Sequence, residues 1–243
     1  MSVEITDTLP APDAARPAAL GTVVVTGGAS GLGAAVAAAV AAGGGAPIVL
    51  DRQAPAASHA YVPVDLAEPR AAEEAVRAVA EEHGLDAVVT AAGTDACGDL
   101  LDVDAADWDR VVMVNLIGTA AVVRAALPYL ERSRGRIVTV ASTLGWRALP
   151  AATAYCASKF GVVGFTRALQ AELGGRVGVT LLLPGGMRTH FFDDRPEQFK
   201  PGADQHLNDP ADVARSVLFA LQQPPGCEIR ELMVTPAGEP SWP

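Results

Sequence analysis

The chain has 243 residues, half of them apolar and 19% charged, which suits a folded protein with a sizeable core and not a disordered one. Its net charge of −10 and lack of any basic run argue against nucleic-acid or anionic-membrane partners. Cys97, Cys156 and Cys227 form no CxxC pair, and His59, His83, His190 and His206 show no metal-ligand spacing. A reducing, cytoplasmic setting without a metal is expected.

In chain order, residues 1–19 are rich in Pro, Ala and Asp and lack the positive start and apolar core of a secretory signal. They are expected to form a loose, flexible lead-in. TVVVT (22–26) reads as a strand, followed by a Gly-rich turn and an Ala-rich helix to about Ala42. That helix is too short to cross a bilayer. Strands follow at PIVL (47–50) and YVPVD (61–65), then an amphipathic helix over 68–84 that ends on glycine. DAVVTAA (86–92) is the next strand, and one long helix is expected from Ala105 to Glu131. GRIVTVAS (135–142), a helix over 153–173, VGVTLLL (177–183), a helix near 210–222 and IRELMVT (229–235) complete the pattern. Continuous apolar strands alternating with helices predict a doubly wound, Rossmann-type α/β fold. The expectation is a mostly parallel seven-stranded sheet with helices on both faces, in a single domain over 20–243.

The turn TGGASGLG carries Gly27, Gly28, Gly31 and Gly33 between a strand and a helix, and Asp51 ends the next strand eighteen residues beyond Gly33. Glycines let backbone approach a pyrophosphate, and helix-start N–H groups favour its charge. A plain tight turn is the alternative. At Asp51 a carboxylate can accept from both hydroxyls of an adenosine ribose and would repel an added phosphate, favouring NAD over NADP. Arg52 leaves the second cofactor open, and a solvated strand end is the lesser alternative for Asp51.

In ASTLGWRALPAATAYCASKFG (141–161), Tyr155 lies thirteen residues after Ser142 and four before Lys159. One helical turn puts Tyr155 and Lys159 on the same face, where an ammonium would lower the phenol's pKa from its usual value near ~10. Ser142 ends a strand, where it could orient a substrate oxygen beside the tyrosine. Singly, each has an ordinary explanation: a half-buried Tyr, a surface Lys, a helix-capping Ser.

Together these motifs resemble the short-chain dehydrogenase/reductase family in its compact single-domain branch, from about Gly21 to Thr235. TGGASGLG fits the family's TGxxxGxG and YCASK its YxxxK. The resemblance implies Ser142, Tyr155, Lys159 and Asn115 (of VNLIGT) as catalytic residues, with Asn115 supporting a water-linked proton path from Lys159. It implies cofactor contacts from Gly27, Ser30, Gly31, Leu32 and Gly33, from Asp51 and Arg52, and from Asp65 and Leu66. Ala91, Ala92 and Gly93, Pro184, Gly185 and Thr189 of PGGMRT, and Tyr155 and Lys159 complete that set. One departure is Thr90-Ala91-Ala92-Gly93 where the family usually has NNAG.

The activity so implied is NAD(H)-dependent interconversion of a secondary alcohol and a ketone by hydride transfer. The other readings are a catalytically idle NAD sensor on the same fold, or an epimerase or dehydratase of the sugar-nucleotide branch. Substrate contacts are expected from Ser142, Leu144, Trp146, Leu149, Tyr155, Gly186, His190 and Phe191. The segment 187–209 is either a lid over the pocket or aromatic packing onto the domain. Arg188 and Arg195 leave room there for an acidic substrate group. The resemblance also implies a homodimer or homotetramer, formed through the long helix and the helix bearing Tyr155.

Overall fold

The computed structural model describes residues 19–202 and 204–239, so the lead-in expected over 1–19 lies, but for its last residue, outside the described residues. Seven strands form one sheet: β1 (Thr22–Thr26), β2 (Ala46–Asp51), β3 (Ala60–Pro63), β4 (Ala87–Thr90), β5 (Arg136–Val140), β6 (Gly178–Pro184) and β7 (Glu231–Val234). Their order is β3-β2-β1-β4-β5-β6-β7, and every pairing is parallel, where a mostly parallel sheet was expected. The helices are α1 (Gly31–Ala42), α2 (Pro69–His83), α3 (Ala105–Val112), α4 (Thr119–Ser133), α5 (Thr153–Leu173) and α6 (Pro210–Leu221).

The strands are apolar at consecutive positions because helices cover both faces. In β1, Val24 packs into the core shared with α2, α4 and the end of α5, while its neighbours Val23 and Val25 pack against α1 and α6. Strand parity thus divides one apolar run between two cores. The chain reverses direction across the sheet between β1 and β4, so their C-terminal ends diverge into a crevice.

The expected single helix over 105–131 is interrupted. Between α3 and α4, residues Met113–Gly118 form a π-helical turn. The whole stretch Ala105–Ser133 is long and apolar enough to cross a bilayer, but 56% of its apolar window is buried in the domain. Its π-helical Gly118 sits against the Leu66 backbone, where a Cβ would come within 2.7 Å of the carbonyl oxygen. The widened turn holds Asn115 fully buried.

Candidate active site

The crevice begins at the Gly-rich turn. A Cβ on Gly27 would lie 2.6 Å from the Ala92 Cα, and one on Gly33 only 2.1 Å from the Gly27 carbonyl oxygen. These two glycines let β1, α1 and the end of β4 meet backbone to backbone. Thr26 fastens the same junction, its hydroxyl accepting from the Ala92 N–H at 3.1 Å. At the start of α1, Ser30 makes no side-chain cap and the first turn carries no acidic residue. Uncapped N–H groups and a side-chain-free approach fit the pyrophosphate of a dinucleotide.

Asp51 points its carboxylate back over this turn. Oδ2 accepts from the Ala29 N–H and Oδ1 from the Gln53 N–H, each at 3.0 Å, and Arg52 beside it is exposed. Asp65 is bound by Arg110 at 2.8 Å and by the Ala67 N–H at 2.9 Å. Partial burial pushes its pKa up, but these partners outweigh it and hold the carboxyl below the usual range. The Leu66 side chain is buried in the core under α2 and α4, so a cofactor contact there falls to its backbone. Ala91 and Ala92 are half-buried and Gly93 is exposed at the crevice. In place of the family's first amide, Thr90 is buried with a hydroxyl that finds no partner among the described residues.

Ser142, just past β5, and Tyr155 and Lys159, in the first two turns of α5, converge beside this crevice. The Ser142 hydroxyl accepts from the Leu144 N–H at 3.1 Å and interacts with the Tyr155 hydroxyl. Lys159 is buried, donates to the Val140 carbonyl at 3.0 Å, and lies 5.6 Å from the centre of the Tyr155 ring. Burial lowers the Lys159 pKa to about 8, against an upward pull from Asp95. The Asn115 amide accepts from the Thr94 N–H at 2.8 Å and donates to the Thr94 carbonyl at 2.9 Å and the Ser158 hydroxyl at 3.0 Å. Ser158 in turn donates to the Tyr155 carbonyl at 2.8 Å. Asn115 therefore staples the loop after β4 to the turn of α5 that carries Tyr155. Its Oδ1 and the Lys159 Nζ both border the space beside Gly93, at 3.5 and 3.6 Å from where a Cβ would sit.

The tyrosine differs from expectation in its acidity. Burial pushes its pKa well above the ordinary range, Asp95 adds to the push, and the Ser142 bond and the Arg195 charge oppose it without prevailing. The cause is visible on the substrate side. From segment 187–202 the Phe191 ring packs 5.7 Å from the Tyr155 ring, with Phe192 edge-on to Phe191. Of the two readings for this segment, the aromatic residues serve both, since they pack onto the domain at the place a lid would cover.

The other residues expected to contact substrate differ in their surroundings. Trp146 is 45% exposed and stacks over Arg167, about 18 Å of helix rise beyond Tyr155. Leu149 is exposed, and His190 turns to solvent in a 2.7 Å contact with Asp193. Leu144 and Gly186 are half-buried, and the Gly186 N–H donates to the Glu239 carboxylate at 3.0 Å. The Gly185 N–H donates to the Val234 carbonyl, and Pro184 ends β6. Thr189 caps the turn His190–Phe192 and faces Gly31 across the crevice. Arg188 and Arg195, the cations set aside for an acidic group, are already paired with Asp209 and Asp95. Asp95 was missed, although a carboxylate two residues past Gly93, at the C-terminal edge of the sheet, was visible as a candidate.

A family model described as short chain dehydrogenase matches residues 21–199. An uncharacterised oxidoreductase of Staphylococcus aureus (strain MW2) is 32% identical over 226 residues, covering 88% of this chain and 96% of the relative. Among solved structures, an alcohol dehydrogenase from the archaeon Thermococcus sibiricus, complexed with 5-hydroxy-NADP, aligns with a TM-score of 0.78 at 25% identity. That alignment covers 88% of this chain and 95% of the archaeal one. The ligand-free aldohexose dehydrogenase of Thermoplasma acidophilum has the same fold, with a TM-score of 0.78 at 24% identity over 88% of this chain and 92% of its own.

Proposed function

The chain belongs to the short-chain dehydrogenase family, and from that premise we propose that it is an NAD(H)-dependent oxidoreductase interconverting a secondary alcohol and a ketone. The observation that carries this reading is the convergence of Ser142, Tyr155 and Lys159 at the mouth of a glycine-lined crevice suited to a dinucleotide. When bound there, the nicotinamide supplies or takes up the hydride.

The chain's own residues supply the proton and the alignment. Tyr155 exchanges a proton with the substrate oxygen, and Ser142 holds that oxygen in place. Lys159 places a positive charge beside the phenol. Asn115 acts one step back, fixing the start of α5 through Ser158. Tyr155 is protonated at neutral pH, the form that donates to a carbonyl in the reducing direction, and burial strengthens that preference. Alcohol oxidation needs the phenolate and rises with alkalinity. The Asp51 carboxylate beside the first turn of α1 favours NAD, because an adenosine phosphate there would face a like charge in a poorly solvated cleft.

We place the enzyme in the cytoplasm, in keeping with its free cysteines. It assembles as a homodimer or homotetramer through the long helical stretch 105–133 and α5, where exposed Ile117 in the π-helical turn, exposed Phe160 and the open surface at Gly164 suit close helix approach. Nicotinamide absorbance, followed with NADH or NADPH and a panel of secondary alcohols and ketones, tests the reaction and the cofactor together. Turnover with NADH in preference to NADPH is expected. Nucleotide binding without turnover of any substrate would favour an idle sensor, and NADPH preference would overturn the role given to Asp51.

A further inference from the structure

Beyond Tyr155 the closed segment builds a stack that the proton chemistry does not use. Phe191 packs on Tyr155, and the Arg195 guanidinium lies 5.2 Å from the centre of Phe191 and 4.6 Å from that of Phe192. Its far side pairs with Asp95 through Nη2, and the Arg195 and Asp95 side chains are only 18% and 6% exposed. Asp95 is held in turn by the Ala96 N–H at 2.8 Å and the Cys97 thiol at 3.0 Å. Arg195 Nη1 donates to the Phe199 carbonyl at 3.4 Å, whereas the Nε–H is buried and has no partner among the described residues. A cavity of about 470 Å³ is bordered by the pair's own partners, Cys97, which bonds Asp95, and Phe199, whose carbonyl accepts from Arg195, together with Asp99, Asp102, Pro196 and Gln198.

We propose that Arg195 is a specificity residue, whose Nε–H recognises an uncharged oxygen on the part of the substrate remote from the reacting carbon, and that Asp95 is the positioning residue that aims it. A buried donor without an acceptor penalises the protein until a ligand supplies one, which is how a site comes to prefer a ligand bearing that oxygen. The charge count selects a neutral group. Asp95 already neutralises the guanidinium, and Asp99 and Asp102 add negative charge at the rim, so a carboxylate would arrive as a surplus anion in a desolvated place. Phe199 in the cavity wall favours a flat apolar body beside the stack. The substrate class is therefore a neutral ketone or alcohol with a second, remote hydroxyl or carbonyl oxygen.

This inference rests on the reaction proposed above. Three ketones of matched shape test it: acetophenone, its para-hydroxymethyl derivative and para-acetylbenzoate, with NADH at neutral pH. Wild type is expected to favour the hydroxymethyl compound over acetophenone by about tenfold or more in kcat/KM, and to use the carboxylate least. Arg195→Lys keeps a charge opposite Asp95 but has no second donor in the place of Nε, so the hydroxymethyl preference falls to near parity. Asp95→Asn leaves the guanidinium unneutralised, and the ratio of carboxylate to hydroxymethyl turnover rises about tenfold. Retention of the wild-type preference by Arg195→Lys, or the carboxylate as the best wild-type substrate, overturns the proposal. Failure of wild type on all three aromatic ketones while aliphatic ketones react overturns this inference alone. Failure on every ketone overturns the reaction on which it rests.

Discussion

The two sides of the crevice are built on different principles. The nucleotide side is backbone against backbone: at Gly33 a single methyl would stand 2.1 Å from a carbonyl oxygen. The substrate side is made of side chains that could be exchanged singly, a ring on Tyr155, a guanidinium on the ring and a carboxylate on the guanidinium. The first leaves almost no freedom in sequence and keeps one ligand type. The second tolerates replacement and is where our proposal puts substrate choice.

Substitutions on each side should expose that contrast. The largest effect is expected from Gly33→Ala, which has no side chain to push aside and should cost about 3–5 kcal/mol, seen as a collapsed melting temperature and lost NADH binding. At Gly31 an added Cβ meets only the Thr189 side chain at 3.4 Å, and the cost reduces to the positive φ of 54°, about 1–2 kcal/mol.

Lys159→Met comes next and separates function from stability. Turnover should fall at least about a hundredfold, while removal of a buried ammonium raises stability by about 1–2 kcal/mol in denaturant melts at neutral pH. The pH dependence carries a sign. Folding depresses the Lys159 pKa to about 8, so between pH 8 and about 10 the folded protein has released a proton that the unfolded chain keeps. Wild type therefore gains stability relative to Lys159→Met as pH rises through that window.

Phe191→Ala removes the ring over the phenol. With less burial the Tyr155 pKa drops toward its ordinary value, and the alkaline rise of alcohol oxidation moves to lower pH. The smallest effect belongs to Ala151, whose φ of 55° lies in the left-handed region just before α5. Ala151→Gly should stabilise the protein by roughly 1 kcal/mol, read from its melting temperature, with turnover little changed.

How far the sequence revealed this arrangement follows the same division. The strands and most helices were legible because unbroken apolar runs such as TVVVT and RIVTV have few other uses than a sheet covered on both faces. The cleft was legible in glycines, whose spacing reflects steric necessity. The π-helical turn at Met113–Gly118 was not, since a single widened turn leaves the apolar periodicity on either side nearly unchanged. Trp146, Leu149 and His190 were placed by nearness in sequence to the site, but the chain turns them toward Arg167 or solvent. The Asp95–Arg195 pair joins residues one hundred positions apart, and nothing local marks either as the partner of the other. The raised Tyr155 pKa was hidden for a related reason: the lysine is a neighbour on the helix, whereas the Phe191 ring packed on the tyrosine comes from a distant segment.

The central claim is that Tyr155 carries the proton in a site whose nucleotide side is independent of it. Its most direct test is Tyr155→Phe, assayed for ketone reduction by nicotinamide absorbance and for NADH binding by fluorescence titration. The account predicts a loss of turnover of about a thousandfold or more, with NADH affinity within about threefold of wild type. Retention of most of the activity would contradict it.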